Sequence, residues 1–227
     1  MSKRFKKLPE KTSELPSEGI EKLIPIIKKN CTTKFDESVD LSFQIYNKQK
    51  KNEINIRTVV NLPGGTGKKV KVAVVCEDAK ISEAKDAGAD IVGSDELVEK
   101  VENGFVDFDR CISTPDMMSK VGKLGKVLGP RNLMPNPKLG SVTNDLKQAV
   151  ENAKAGELEY KNNDTLVQAG IAKSDFEKND VINNIKYFFD TISKERPSGI
   201  KGDFIKKVSI SPTMGPGINV NLDSFGA

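Results

Sequence analysis

Pro63-Gly64-Gly65-Thr66-Gly67-Lys68-Lys69-Val70-Lys71-Val72-Ala73-Val74-Val75-Cys76 is the stretch on which the reading of the fold turns. Glycine opens the left-handed backbone region and proline withholds a donor, so the first half predicts a flexible joint. The unbroken apolar run at 73–76 predicts a strand covered on both faces, as in a parallel sheet. Before the joint, apolar residues alternate with polar ones. After it, short apolar runs alternate with helical patterns.

Upstream, Ile20, Leu23, Ile24 and Ile27 recur at helical spacing, and Pro25 is expected to kink or shorten that helix. Val39, Leu41, Phe43 and Ile45 alternate with polar residues, and Ile54, Ile56, Thr58, Val60 and Leu62 do the same. These predict two half-exposed strands, read as antiparallel neighbours joined by the polar NKQKKNE loop. Downstream come a helical ISEAKDAGA, a short apolar DIVG, and a helix through Leu97, Val98 and Val101. Cys111-Ile112-Ser113-Thr114 precedes a helix with Met117, Met118, Val121 and Leu124, and one with Leu146, Ala149, Val150 and Ala153 closes the region near Gly156. Strand and helix in alternation argue for a small parallel α/β domain.

Beyond Gly156 the half-exposed texture returns. ELEYKN and TLVQAGIAK read as strands, and Val181, Ile182, Ile185, Phe188, Phe189 and Ile192 mark an amphipathic helix. FIKKVSI and INVNL predict the last strands. The fold class is therefore α/β with two domains. A discontinuous α+β domain is expected from 1–66 and 157–227, with an α/β domain inserted at 67–156.

Composition excludes more than it selects. The 227 residues carry 36 Lys or Arg against 32 Asp or Glu, a net charge of +4, and no histidine. Without histidine, Ser-His-Asp and Cys-His catalysis and His-ligated metals are excluded within this chain. Cys31, Cys76 and Cys111 form no CxxC pair, so they read as small buried hydrophobes rather than a metal or redox site. No apolar run approaches the roughly 18 residues of a membrane span, and the basic N-terminus MSKRFKKLPEK lacks the apolar core of a secretory signal. The expectation is a cytoplasmic, non-enzymatic protein with no cofactor, no membrane partner and no small-molecule substrate.

The cations are unevenly spread, which allows phosphate binding despite the modest sum. GKLGKVLGPRNLMPNPKLGSV, 122–142, contains no acidic residue, and Lys120, Lys123, Lys126, Arg131 and Lys138 make its neighbourhood strongly basic. It reads as a basic helix ending near Gly129, followed by a rigid turn-rich loop. Gly64-Gly65-Thr66-Gly67-Lys68-Lys69 fails as a phosphate loop, because Leu62 replaces the first glycine, Lys69 replaces Ser/Thr, and a strand follows. The Asp86-Ala87-Gly88-Ala89-Asp90 segment reads as a helix C-cap at Gly88 rather than part of a barrel. Gly122-Lys123-Leu124-Gly125 matches the four-residue loop of KH modules, but over too few positions to carry weight. Ser211-Pro212-Thr213-Met214-Gly215-Pro216 reads either as a strand-ending turn, with Gly215 at an unusual φ, or as an RNA recognition loop.

Lys123-Leu124-Gly125, then Leu128 to Lys138 (LGPRNLMPNPK) and Gly140, together resemble the fingerprint of bacterial large-subunit ribosomal protein one, the mobile-stalk family beside the tRNA exit site. KFDESVDL (34–41), the AGAD segment, Ser113 to Met118 and the TMGP segment fall in the family's order, so the resemblance spans nearly the whole chain. It implies that the termini form the main rRNA-binding domain and the middle a Rossmann-like insert. Position by position, it implies an RNA-binding surface of Lys34, Phe35, Ser38, Asp40, Lys173, Thr213, Met214 and Gly215. Implied partners are large-subunit rRNA, exit-site tRNA and the protein's own operon mRNA, with tRNA release and translational repression as roles.

Two features depart from the family. After Phe43 it continues through a glycine and an Asp-Pro turn, whereas this chain reads IYNKQKKNEINIRTVV, so no contact is carried over to 47–55. Pro25 is the other. A Rossmann-type enzyme acting on a phosphorylated metabolite would need a glycine-rich turn after the first parallel strand, where Glu77-Asp78-Ala79-Lys80 stands. A protein-interaction module with incidental basic patches would bind RNA without regard to its fold.

Overall fold

The computed structural model describes residues 19–45, 56–196 and 202–225. The basic N-terminal tail, the NKQKKNE loop and positions 197–201 lie outside the described residues. The chain divides into two compact units, one of Met1–Gly67 with Leu158–Ala227 and one of Lys68–Glu157.

Helix α1 (Ile20–Asn30) buries the apolar stripe Ile20, Leu23, Ile24 and Ile27. It runs through Pro25 without ending there. Pro25 and Glu21 are both exposed, so the carbonyl that proline cannot bond faces solvent. Strand β1 (Ser38–Ile45) turns Val39, Leu41, Phe43 and Ile45 inward, and β2 is Arg57–Asn61. The two are not neighbours, contrary to the sequence expectation. The sheet order is β2-β6-β7-β1-β8-β9, where β6 is Glu157–Asn163, β7 is Leu166–Lys173, β8 is Ile205–Pro212 and β9 is Ile218–Val220. Alternation fixes which face of a strand is buried, not which strand lies beside it. Arg57 on β2 instead pairs with Glu159 on β6 at 2.7 Å.

Strand β1 lies antiparallel between β7 and β8. Its inner face meets the long helix spanning Lys178–Lys194, whose Phe188 sits edge-on to Phe43 at 5.4 Å and to Tyr160 at 5.0 Å. That helix and α1 close one core against the sheet. The opposite face of β1 carries Ser38, Asp40, Ser42 and Gln44.

In the second unit β3 (Val72–Val75) is fully buried and lies between β4 (Ile91–Gly93) and β5 (Arg110–Ser113), parallel to both. Val72 and Val74 face a cluster with Ala84, Leu146 and Val150, while Ala73 and Val75 face one with Leu97, Val101 and Val121. Helices therefore cover both faces, as the apolar run predicts. The helix α2 (Ile81–Asp86) ends in a Schellman motif: Gly88, at φ +88°, donates its N–H to Lys85 and Ala89 donates to Ala84.

The glycine joint is not loose over its whole length. Buried Asn184 accepts from the Gly64 N–H at 2.9 Å and donates to the carbonyls of Gly65 (3.0 Å) and Ile171 (2.9 Å). Gly67, at φ +69°, sits where a Cβ would come within 2.7 Å of the Phe176 ring and 3.0 Å of Lys173 Cγ. An amide side chain and a ring thus fix this segment, overriding glycine's intrinsic freedom.

Two outcomes follow. Asn184→Ala strands three backbone groups and should destabilise the protein by about 2–4 kcal/mol in chemical denaturation. Asp90 accepts the Val72 N–H at 3.0 Å and pairs with Lys154 at 3.2 Å, and that backbone hydrogen bond chiefly holds its carboxyl below its ordinary 3.8. A depressed pKa contributes stability above the ordinary value and loses it as pH falls through the folded value. The stability gap between wild type and Asp90→Asn, read by thermal melts, should therefore be present near neutrality and close as pH drops below 3.8.

Candidate nucleic-acid interface

One end of β1 gathers the residues singled out from the sequence. Ser38 opens β1 and lies opposite Lys173, the last residue of β7. Val39 lies opposite Pro212, the last residue of β8. The segments leaving these three strand ends are therefore brought side by side by the sheet register.

Direct hydrogen bonds then fasten them. The Thr213 N–H donates to the Ser38 carbonyl at 3.0 Å, and its hydroxyl donates to the same oxygen at 3.2 Å. The Thr213 hydroxyl in turn accepts from the Ser38 N–H at 2.9 Å. Lys173 Nζ reaches the Asp36 carbonyl at 3.5 Å. Thr213 thus closes the strand pair as well as standing exposed at its tip.

Phe35 and Met214 are 55% and 48% exposed, large apolar groups that the core does not use. Lys34, next to Phe35 in sequence, is exposed, and Lys173 is half-buried. Asp40 sits one step along the outer face of β1, opposite Gly170 and Ser211. The register shifts between Val39 and Asp40, where β7 contributes the extra residue Ile171. Such a bulge re-aims the side chains beside it. A Cβ on Gly170 would come within 3.0 Å of Asp40 Oδ1, so the glycine makes room for that carboxylate.

Gly215 does not have the unusual φ expected from the sequence; it is not among the positive-φ glycines. Its constraint is steric. A Cβ there would stand 2.4 Å from Pro212 Cγ, and the Gly215 N–H donates to the Pro212 carbonyl at 3.3 Å, closing a tight turn over the proline ring.

Sequence reasoning missed Glu37. It is wholly buried, and its carboxylate accepts from the Thr33 N–H (3.2 Å), the Thr33 hydroxyl (2.8 Å) and the Met214 N–H (3.0 Å). The signal was available. Extending the alternation of Val39, Leu41, Phe43 and Ile45 back two residues puts Glu37 on the inner face. Behind it the Cys31 thiol is pushed up by burial and by the Glu37 charge, with Lys28 opposing.

The second unit holds the basic loop. Helical turns run over Met118–Val121, Gly122–Leu124 and Gly125–Leu128, then end in another Schellman motif. Leu133 donates to Leu128, Asn132 donates to Gly129, and Asn132 takes φ +57° at the left-handed position. The helical path therefore ends beyond Gly129, because asparagine supplies the left-handed residue. Asn136 and Ser141 then hydrogen-bond to each other across the loop, the Ser141 carbonyl accepts from the Ser113 N–H at 3.0 Å, and Val142 bridges to Ser113 at the sheet edge. Lys120 pairs with Asp95 at 2.5 Å. Lys123, Lys126, Arg131 and Lys138 are exposed, with no ion-pair partner among the described residues.

This two-unit architecture, with its antiparallel and parallel sheets, is that of a ribosomal-protein family: residues 27–216 match the Ribosomal protein L1p/L10e family, and the chain belongs to it. It is also 59% identical over 223 residues to the large ribosomal subunit protein uL1 of Pelagibacter ubique (strain HTCC1062), covering 97% of each chain.

Gly215→Ala tests the turn. Displacing the Pro212 ring should cost about 1–3 kcal/mol of stability, and the loss of turn geometry should show as shifted Thr213 and Met214 amide resonances.

Proposed function

We propose that this protein is a structural, non-enzymatic component of the large ribosomal subunit in the cytoplasm. It binds large-subunit rRNA through the first unit, at the end of β1, β7 and β8. The observation that carries this reading is the pairing of exposed apolar groups with cations on a rigid support. Phe35 and Met214 stand out from a surface fixed by hydrogen bonds, with Lys34 and Lys173 from adjoining segments. Apolar side chains can pack on sugars or unstacked bases while lysines meet phosphates, and short polar groups address backbone hydroxyls.

Asp40 would repel a phosphate and so must accept from ribose or base donors. Thr213 can still turn its remaining oxygen lone pair toward RNA while it clasps Ser38. Such a surface reads mainly the shape of a folded RNA. The same surface would take an operon mRNA segment folded like the rRNA, giving translational repression. Contact with exit-site tRNA, and help in its release, complete the proposal. The exposed cations of the second unit support affinity for phosphate beyond the specific site.

The test compares a folded large-subunit stalk RNA, a scrambled RNA and a copy of the operon's own mRNA leader across a salt series. Wild type should prefer the folded RNA well beyond low salt, and the leader should compete for it. Met214→Asp should lose about 1.5–3 kcal/mol of that binding, the value of burying a methionine side chain. Equal, salt-labile binding of folded and scrambled RNA, untouched by the substitution, would sink the assignment.

A further inference from the structure

We infer that Glu37 is the positioning residue of the proposed RNA surface: its buried carboxylate sets the Met214 backbone and so aims that side chain outward. The inference rests on the rRNA reading above. Glu37 does not touch RNA in this account, being wholly buried.

Three donors converge on its two oxygens. Oε1 accepts from both the N–H and the hydroxyl of Thr33, and Oε2 accepts from the Met214 N–H. An ionised carboxylate is an acceptor only, so it satisfies such a set without conflict. Hydrogen bonds to a charged acceptor are also the stronger kind. The Glu37 carbonyl meanwhile accepts from the Ser174 N–H at 2.8 Å. One residue therefore touches all three segments: the 33–37 loop, the residue after β7, and the turn after β8.

Met214 needs this support. Its side chain is 48% exposed, so core packing does not fix its direction. The neighbouring turn is fixed on one side by Thr213 on Ser38 and on the other by Gly215 on Pro212. The Met214 N–H between them goes to Glu37. Fixing the backbone in advance removes ordering that RNA binding would otherwise have to supply.

The experiment uses the full chain and the folded stalk RNA, with Met214→Asp as the control on the surface itself. Glu37→Leu keeps bulk but removes both acceptors. It should weaken binding roughly tenfold or more and speed hydrogen exchange at the Met214 amide. Glu37→Gln keeps one acceptor, which can turn to the Met214 N–H, and should recover most of the affinity. Thr33→Val removes the hydroxyl that reaches the other carboxylate oxygen (2.8 Å) and the Phe35 carbonyl (3.0 Å), leaves the Thr33 N–H in place, and should fall between Gln and Leu.

A merely structural role predicts something else: a lower melting temperature, with folded molecules binding RNA as wild type does. Should Glu37→Leu not fold, the Gln and Val variants decide. Wild-type affinity and wild-type Met214 exchange in both would overturn the inference. If Met214→Asp weakens binding while the Glu37 series does not, the surface stands and Glu37 is only structural. If Met214→Asp has no effect, the RNA reading itself fails and takes this inference with it.

Discussion

Ser38 and Thr213 are 175 residues apart in sequence, yet they share three hydrogen bonds. Everything proposed for the first unit depends on that closure. The chain leaves this unit at Gly67 and re-enters it at Leu158, so β1 on one side of the excursion must find β7 and β8 on the other. Register does the aligning. With Ser38 opposite Lys173 and Val39 opposite Pro212, three strands end together, and a slip of one residue would turn Phe43 out of the core. The burial of Phe43 against Phe188 therefore protects the geometry of a surface at the far end of the strand.

Burying a glutamate at that end runs against the usual distribution, since a buried charge is tolerated only when paired or fully hydrogen-bonded. Here the compensation comes from backbone and hydroxyl donors on separate segments, and the arrangement couples them. The Glu37 carboxylate cannot be satisfied unless the 33–37 loop and the turn after β8 are both in place. The surrounding turns add their own constraints. Gly215 permits close passage over Pro212, and Gly170 leaves space for Asp40. Polar groups at the candidate surface bond to one another: Thr213 to Ser38, Lys173 to the Asp36 carbonyl, and the Met214 N–H to Glu37.

What the sequence disclosed follows from what periodicity can encode. The doubly covered β3 was legible because Val72 through Val75 must be apolar on both faces. The outward set Ser38, Asp40, Ser42 was legible from strict alternation in β1. Partner choice was not, because β1 and β2 alternate alike and nothing in either names β7 or β6 as its neighbour. Family resemblance named the residues of the candidate surface but not their mutual bonds. Glu37 was overlooked because a charged residue before a strand reads as solvated, although its position in the alternation points inward.

The joint shows the same limit from the other direction. Composition assigns flexibility to a run of glycines, yet composition carries no information on what approaches them. Gly64 and Gly65 are held by the Asn184 side chain from a helix more than a hundred residues later, and Gly67 lies under Phe176 and beside Lys173. Lys173 is also one of the cations assigned to the RNA surface. Lys28, on α1, donates to the Phe176 carbonyl and so holds the same corner from behind. The route by which the chain leaves the first unit is thus packed against a member of the candidate interface. Gly64, Gly65 and Gly67 are thus bonded to or packed against the first unit's own side chains, and their surroundings, not their composition, decide how far glycine's intrinsic freedom is expressed there.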